Sequence, residues 1–523
     1  MTDPRPAAVI VLAAGEGTRM RSATPKVLHA IGGRTLLGHV LATARALDPE
    51  ALAVVVRHDR DRVAEHALAL DPDVLVADQD AIKGTGRAAW CALEALDSAA
   101  TATTGAPVSG PVVVLAGDVP LLDAGTLGEL LAAHTADGNV VTVLTTRVPD
   151  PTGYGRIVRT DDGQVERIVE HRDASPEELA IDEINTSVYA FDADVLRAGL
   201  RTLQDPASDA ASNAQGEVYL TDVLALAHAH GAVRAIETPD PIIVEGVNDR
   251  VQLATLGAEL NRRVLETAMR SGVTVVDPAS TWVDVTVTLE QDVTLLPGTQ
   301  LLGRTSVATG AVIGPDTTLE DATVEAGARV LRSHVTDARI GEGASVGPYT
   351  HLRTGTVLGP RSAIGAFAET KNAELGAGAK VPHLSYVGDA VVGDAANIGA
   401  GVITANYDGV GKHRTVIGAG AFVGSDTTLV APIEIGGGAF VAAGSTVTRD
   451  VAPGALAVER AQLKIIPGWV ARRLEGTKWA AAAQRAIEAL GESVDEESGR
   501  DAAGPSGPAR PSGTDEAHGG HTA

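Results

Sequence analysis

The chain has 523 residues, one cysteine, a formal net charge of −25, and 44% hydrophobic but only 3% aromatic residues. That balance excludes a nucleic-acid backbone as partner, which needs a dense basic surface, and an intrachain disulfide, which needs a second cysteine. No run of 18 apolar residues is present to span a bilayer, and the length allows two to four domains.

The N-terminal run AAVIVLAA passes straight into GEGTRM with no net positive charge before it. It therefore reads as a strand and not as a signal peptide. With Cys91 alone, a reducing cytoplasm is the expected compartment. From Ala7 to about Val247, short apolar runs (AVIVL, ALAVVV, PVVVLAGD, VVTVL) alternate with segments of helical period such as HVLATARAL. That alternation predicts an α/β sheet over residues 1–247. Leu253, Leu256, Leu260 and Val264 then recur at spacings of three and four, predicting a connecting amphipathic helix over 248–271.

Beyond Gly272 the period becomes six. Ile340, Val346, Leu352, Leu358 and Ile364 keep that step, as do Ile417, Val423, Leu429, Ile435, Val441 and Val447. Six fits neither a helix nor a hairpin, but it fits a β-solenoid with aliphatic rungs inward and small residues at its corners. The solenoid is expected over 272–480. Residues 481–523, acidic and rich in Ala, Gly, Ser and Pro, are expected to form a disordered tail.

Within the first region, VLAAGEGTRM places a glycine loop after a strand, with Arg19 and Lys26 following. Glycines let backbone N–H groups approach phosphate, and the two cations could neutralise a triphosphate. By itself such a loop is a tight turn as readily as a ligand site; the cations favour the ligand. It matches neither GxGxxG nor GxxxxGK[ST]. Asp118 in LAGDVPLL ends a strong apolar strand, where ligands bind in open sheets and a carboxylate suits Mg2+. A turn or cap aspartate is the other reading.

In the solenoid, residues 18 apart should lie one coil apart, about 4.8 Å. Arg353 and Lys371 then stack as neighbouring cations, which calls for an anion such as a sugar phosphate, unless both simply point into water. Ser425 and Ala443 mark a second such line, where small side chains leave room for an extended ligand. Residues 404–416 (TANYDGVGKHRTV) break the period, so a loop leaves the scaffold there. His383, two residues past the rung at Val381 and close to Tyr386, is either incidental or a general base.

LAAGEGTRM with Pro25-Lys26, QDAIKGTGRA, GDVPLL, PTGYGRI, VEH, EINTSVY, NAQGEVYLTD and VEGVNDR, together with the hexapeptide half, resemble the bifunctional N-acetylglucosamine-1-phosphate uridylyltransferase/glucosamine-1-phosphate acetyltransferases over about residues 7–470. The resemblance implies an α/β Rossmann-like nucleotidyltransferase domain followed by a left-handed parallel β-helix of hexapeptide repeats. It implies UTP or UDP-sugar binding by Leu12, Ala13, Ala14, Gly15, Lys26, Gln79, Gly84, Thr85, Ala116, Gly117 and Asp118, with Arg19 stabilising phosphate. Sugar contacts fall to Gly155, Glu170 and Asn185, and Mg2+ to Asp118 and Asn248.

For the second half the resemblance implies a glucosamine-1-phosphate site at Arg353, Lys371, Tyr386 and Asn397. Acetyl-CoA would be held by Ala400, Asn406, Tyr407, Ser425, Ala443 and Arg460. His383 would be the general base, with Glu369 a candidate to orient its imidazole. A homotrimer with acetyl-transfer sites between subunits is implied, with small-molecule substrates and neither nucleic acid nor membrane as partners. Glu16 departs from the family, where many relatives carry Lys; its side chain is expected to point away from the phosphates. Two other readings share the architecture: a monofunctional sugar-1-phosphate nucleotidyltransferase whose solenoid only assembles it, and a non-enzymatic regulatory subunit. His383 with Asn406 and Tyr407 speaks against the first, and Arg19, Lys26 and Asp118 against the second.

Overall fold

A computed structural model describes residues 5–161, 163–204, 217–461 and 463–497. The chain divides into two compact units, Met1–Glu459 and Arg460–Ala523.

The first unit begins with a mixed sheet. Its strands run in the order Val233–Glu237, Val141–Arg147, Glu183–Asp192, Pro111–Ala116, Ala8–Leu12, Ala51–Val56 and Leu75–Asp78, with a hairpin (Arg156–Arg159 and Val165–Val169) attached to the long strand Glu183–Asp192. Ala8–Leu12 and the three strands Pro111–Ala116, Ala51–Val56 and Leu75–Asp78 are parallel, Glu183–Asp192 runs against both its neighbours in that order, and the hairpin strands are antiparallel to each other. The near-continuous apolar sequence of the parallel strands follows from burial on both faces. Ile10, Val112 and Val114 enter one core, while Val9, Val11, Val113 and Leu115 enter the other.

Helix Arg250–Arg270 carries the chain from sheet to solenoid. Asp249 caps it, accepting from the backbone N–H of Val251 and Gln252 at 2.9 Å each. Leu256 packs with Met20, Ile31, Leu36 and Leu121, whereas Leu265 joins the solenoid core. The buried Asn261 bonds the first coil twice, donating to Thr281 O (2.8 Å) and accepting from Val283 N–H (3.0 Å).

The solenoid is a left-handed parallel β-helix. Every strand pair in it is parallel, arranged as an 11-stranded and a 17-stranded sheet. The rungs begin earlier than the two runs read from sequence: Val283, Leu289, Leu295, Leu301, Val307, Ile313 and Leu319 already step by six. Many coils take 18 residues, as in Ser345↔Ala363, but others take 17, as in Ala363↔Lys380, or 16, as in Arg329↔Ser345. One takes 25, Asn397↔Phe422, because residues 406–414 leave the scaffold between the strands Ile403–Ala405 and Thr415–Ile417, an excursion shorter at both ends than the 404–416 read from sequence.

The second unit corrects the expectation of a disordered tail from 481. Trp469–Arg473 and Lys478–Glu497 are helices. The stretch KWAAAAQRAIEAL is rich in strong helix formers, a preference that the acidic composition concealed. The Gly/Ser/Pro-rich remainder, 498–523, lies outside the described residues. Among the described residues no helix is long and apolar enough to cross a membrane.

Candidate active sites

The first site is a cleft of about 390 Å³ at the C-terminal ends of the parallel strands. Leu12, Ala13, Ala14, Gly15, Lys26, Gln79, Gly84, Thr85, Ala116 and Asp118 all line it. Strand geometry places them. Ala13 N–H bonds Val55 O at 3.0 Å and Gly117 N–H bonds Leu12 O at 2.9 Å, so the glycine loop and the Asp118 turn leave the sheet side by side. Gly84 needs φ +115°, and a Cβ there would strike the Val218 backbone.

The ionic centre lies at one end. The Lys26 ammonium is paired with the Asp118 carboxylate, both largely shielded from solvent, and stands 3.5 Å from Asn248 Oδ1. Arg19 Nη2 donates to that same oxygen at 2.8 Å. Residues as far as 229 positions apart in the chain thus meet at one point. Gln79 and Thr85 shape the loop around Gly84: the Gln79 amide donates to Ile82 O and Gly84 O, and Thr85 Oγ1 accepts from Leu220 N–H at 3.0 Å.

Gly155, Glu170 and Asn185 form a neighbouring group. Asn185 N–H bonds Gly155 O at 2.9 Å, and a Cβ on Gly155 would stand 3.5 Å from both Asn185 Cβ and Glu170 Oε2. The strand bulges after Asn185, with Ser187 at φ +61° on the cleft wall. Burial raises the pKa of Glu170, aided by Asp173. Asp222, which sequence reasoning did not single out although YLTD was in view, is pushed up to about 6 by burial and by Glu170 and Asp173. Burial also raises the Tyr154 phenol, together with the charges of Glu245 and Asp118, so this residue links the two groups.

Glu16 stays on the cleft wall but turns toward Arg57 and Lys83. Neither cation was singled out from sequence, since nothing in the local pattern pairs them with the loop.

The second site lies on the solenoid. The register sets Arg353 beside Lys371, and Lys412 from the excursion joins them; repulsion by Lys412 and Arg353 lowers the Lys371 pKa. Lys412 was missed because a loop residue has no register to read. Arg353 Nη1 donates to Glu369 Oε1 at 2.8 Å, so the Glu369 carboxylate serves this cation cluster. Tyr386 lies opposite Glu369 in the ladder. The Asn406 amide donates to the Asp389 carboxylate and stands 3.5 Å from Tyr386 Oη; Asp389 also accepts from Asn372 at 3.0 Å. Tyr407 pairs with Lys412 across the excursion, whose tip is closed by Asp408 accepting from Val410 N–H, Gly411 N–H and His413.

His383, Ala400, Ser425 and Ala443 form one column along a solenoid corner. Successive backbone bonds stack them: Gly401 N–H to His383 O (3.4 Å), Asp426 N–H to Ala400 O (2.7 Å) and Gly444 N–H to Ser425 O (2.8 Å). The exposed imidazole ends a line of small side chains. Asn397 is elsewhere: it sits in the 11-stranded sheet beside Lys380 and Phe422, on a different face from Arg353, Lys371 and Tyr386. Arg460 opens the second compact unit.

Residues 9–175 match the MobA-like NTP transferase domain. The chain is 56% identical over 484 residues to the bifunctional protein GlmU of Paenarthrobacter aurescens, covering 92% of this chain and 95% of that protein. It is 55% identical over 484 residues to that of Kineococcus radiotolerans (92% and 95%) and 53% identical over 484 residues to that of a Mycobacterium strain, KMS (92% and 94%).

Proposed function

The chain belongs to the bifunctional GlmU family, and from that premise we propose how its two sites divide the synthesis of UDP-N-acetylglucosamine, a cell-envelope precursor. The solenoid transfers acetyl from acetyl-CoA to glucosamine-1-phosphate. The α/β cleft then joins N-acetylglucosamine-1-phosphate to UTP, releasing pyrophosphate. The single observation that carries this reading is the presence, in one chain, of the Arg19–Lys26–Asp118–Asn248 centre and, on the solenoid, of both the His383 column and a cluster of three cations.

The amine of glucosamine-1-phosphate attacks a thioester only after losing a proton. His383 takes it, an effect worth roughly 10²- to 10⁴-fold. Arg353, Lys371 and Lys412 hold the sugar phosphate, and Tyr386 and Asn406 flank it. Ala400, Ser425 and Ala443 leave a trough for the CoA arm, with Tyr407 at its edge. Asn397 lies on another face, which supports closure of the site by a second copy of the chain in a homotrimer.

In the cleft the nucleophile is already an anion, so no protein base is required. Leu12 and Ala13, whose N–H is held by Val55 O, anchor the loop, and the turn from Ala14 and Gly15 onward presents backbone N–H groups to the triphosphate. Ala116 lies on the cleft wall, Gly117 is not part of that lining but braces the turn through its bond to Leu12 O, and Gln79, Gly84 and Thr85 frame the base. Glu170, Asn185 and Gly155 hold the sugar. Lys26 and Arg19 offset the repulsion between two anions held in line.

The donor set also fits Mg2+. Asp118 offers a carboxylate and Asn248 an amide oxygen, two hard donors meeting at the Lys26 ammonium. Among the described residues no group of three His, Cys, Asp or Glu could hold a metal alone, so phosphate oxygens would complete the shell. Bound there, Mg2+ supplies charge neutralisation of the phosphates. Both co-substrates and the single cysteine suit the cytoplasm.

The test supplies glucosamine-1-phosphate, acetyl-CoA, UTP and Mg2+ and follows free thiol and pyrophosphate separately. His383→Ala should abolish thiol release yet release pyrophosphate from ready-made N-acetylglucosamine-1-phosphate; Asp118→Ala should do the reverse. One substitution stopping both reactions in a folded protein would sink the two-site assignment.

A further inference from the structure

Glu16, Arg57 and Lys83 line the nucleotide cleft without a part in the chemistry above. They come from three places: the glycine loop, the residue after strand Ala51–Val56, and the segment before helix Thr85–Thr104. Glu16 Oε1 accepts from Arg57 Nη2 at 3.0 Å and stands 3.4 Å from Lys83 Nζ. The attraction of Lys83 and Arg57 holds the Glu16 carboxyl below its ordinary range.

A carboxylate in a loop shaped for phosphate opposes its own ligand. Here it is set against two cations, leaving one net positive charge, and one oxygen cannot occupy five guanidinium N–H donors and three ammonium ones. The trio is also loosely held. Side-chain exposure is 22% for Arg57, 44% for Glu16 and 57% for Lys83, against 15% and 17% for Lys26 and Asp118. Ion pairs that exposed contribute little and exchange partners readily.

We propose that Glu16 is a displaceable counterion: it holds Arg57 and Lys83 at the rim of the nucleotide-free cleft, yields them to the terminal phosphates of UTP, and recovers them as pyrophosphate leaves. The inference rests on the reading of this cleft as the UTP site. It assigns Arg57 and Lys83 to the leaving-group end of the nucleotide and makes Glu16 a determinant of pyrophosphate release.

Steady-state kinetics of uridylyl transfer would test it, measuring KM for UTP and product inhibition by pyrophosphate in wild type, Glu16→Gln and the double variant Arg57→Ala/Lys83→Ala. Glu16→Gln should tighten both constants roughly three- to tenfold at low ionic strength. The double variant should weaken both, and the differences should shrink as salt is raised. KM for N-acetylglucosamine-1-phosphate should stay at the wild-type value in both variants. If Glu16→Gln unfolds at the wild-type temperature yet leaves pyrophosphate inhibition unchanged or weaker, the counterion role is wrong. The same holds if the double variant keeps wild-type constants. Lys26→Ala separates the two levels: full uridylyl transfer in that variant would overturn the reading of the cleft itself, whatever Glu16 does.

Discussion

Asp222 has a pKa raised from 3.8 to about 6 because burial and the nearby Glu170 and Asp173 penalise its charge. The folded state then binds more protons than the unfolded state across that interval, so stability falls as pH rises from about 4 to about 6. Glu170 shifts in the same direction. A shift of this size corresponds to at most about 3 kcal/mol, less after solvent screening of a partly exposed carboxyl. The substitution Asp222→Asn removes the titrating group at nearly constant shape and should flatten this decline. Thermal unfolding at a series of pH values between about 4 and 7 checks it; parallel curves for wild type and variant would contradict the assignment. Asp118 was legible from the sequence because a carboxylate at a strand's C-terminal end is a recognisable position. Asp222 was not, since its partners are far away in the chain and its burial is a tertiary fact.

At the scale of elements, the solenoid was the most readable part. A six-residue step states both the strand and its inward side chain, so Val381 and Val387 could be placed as core before any contact was known, and both are buried; Ile398, 11 residues past Val387, falls off that step and only the structure shows it as core. Ile398 is fully enclosed at 0% exposure, and each coil depends on its neighbours for a covered core. Ile398→Ala should therefore cost about 2–5 kcal/mol, seen as a lowered midpoint in denaturant unfolding. An unchanged midpoint would mean that the coils on either side do not share one core. The excursion at 404–416 was legible only as a break in period. Its content, Asn406 held by Asp389 and Lys412 brought to Lys371, depends on where the chain turns back. Helix Lys478–Glu497 shows the opposite failure, local propensity outvoted by average composition.

For the whole molecule, the two chemistries make different demands. In the proposed division, uridylyl transfer would bring two anions together at the Lys26–Asp118 pair, whereas acetyl transfer would need a base and a phosphate cradle but no cation beyond Arg353, Lys371 and Lys412. Chelation with excess EDTA should therefore stop pyrophosphate release while leaving thiol release intact, and Mg2+ should restore the first. Loss of both activities on chelation, with the unfolding temperature unchanged, would contradict the division of labour.

Taken alone, the sequence determined the order of architectures, the inward rungs, the glycine loop and the 18-residue pairing of Arg353 with Lys371, because each is a matter of periodicity or short spacing. Tertiary structure decided which distant residues share a site. Arg19 and Lys26 meet Asn248 only because helix Arg250–Arg270 starts beside the sheet, and Ser425 aligns with Ala400 and His383 only because the 25-residue coil returns to register. It also turned Glu369 toward Arg353 and set Asn397 on another face. Spacing along a chain fixes direction within one element; side chains on separate elements meet only where packing brings those elements together.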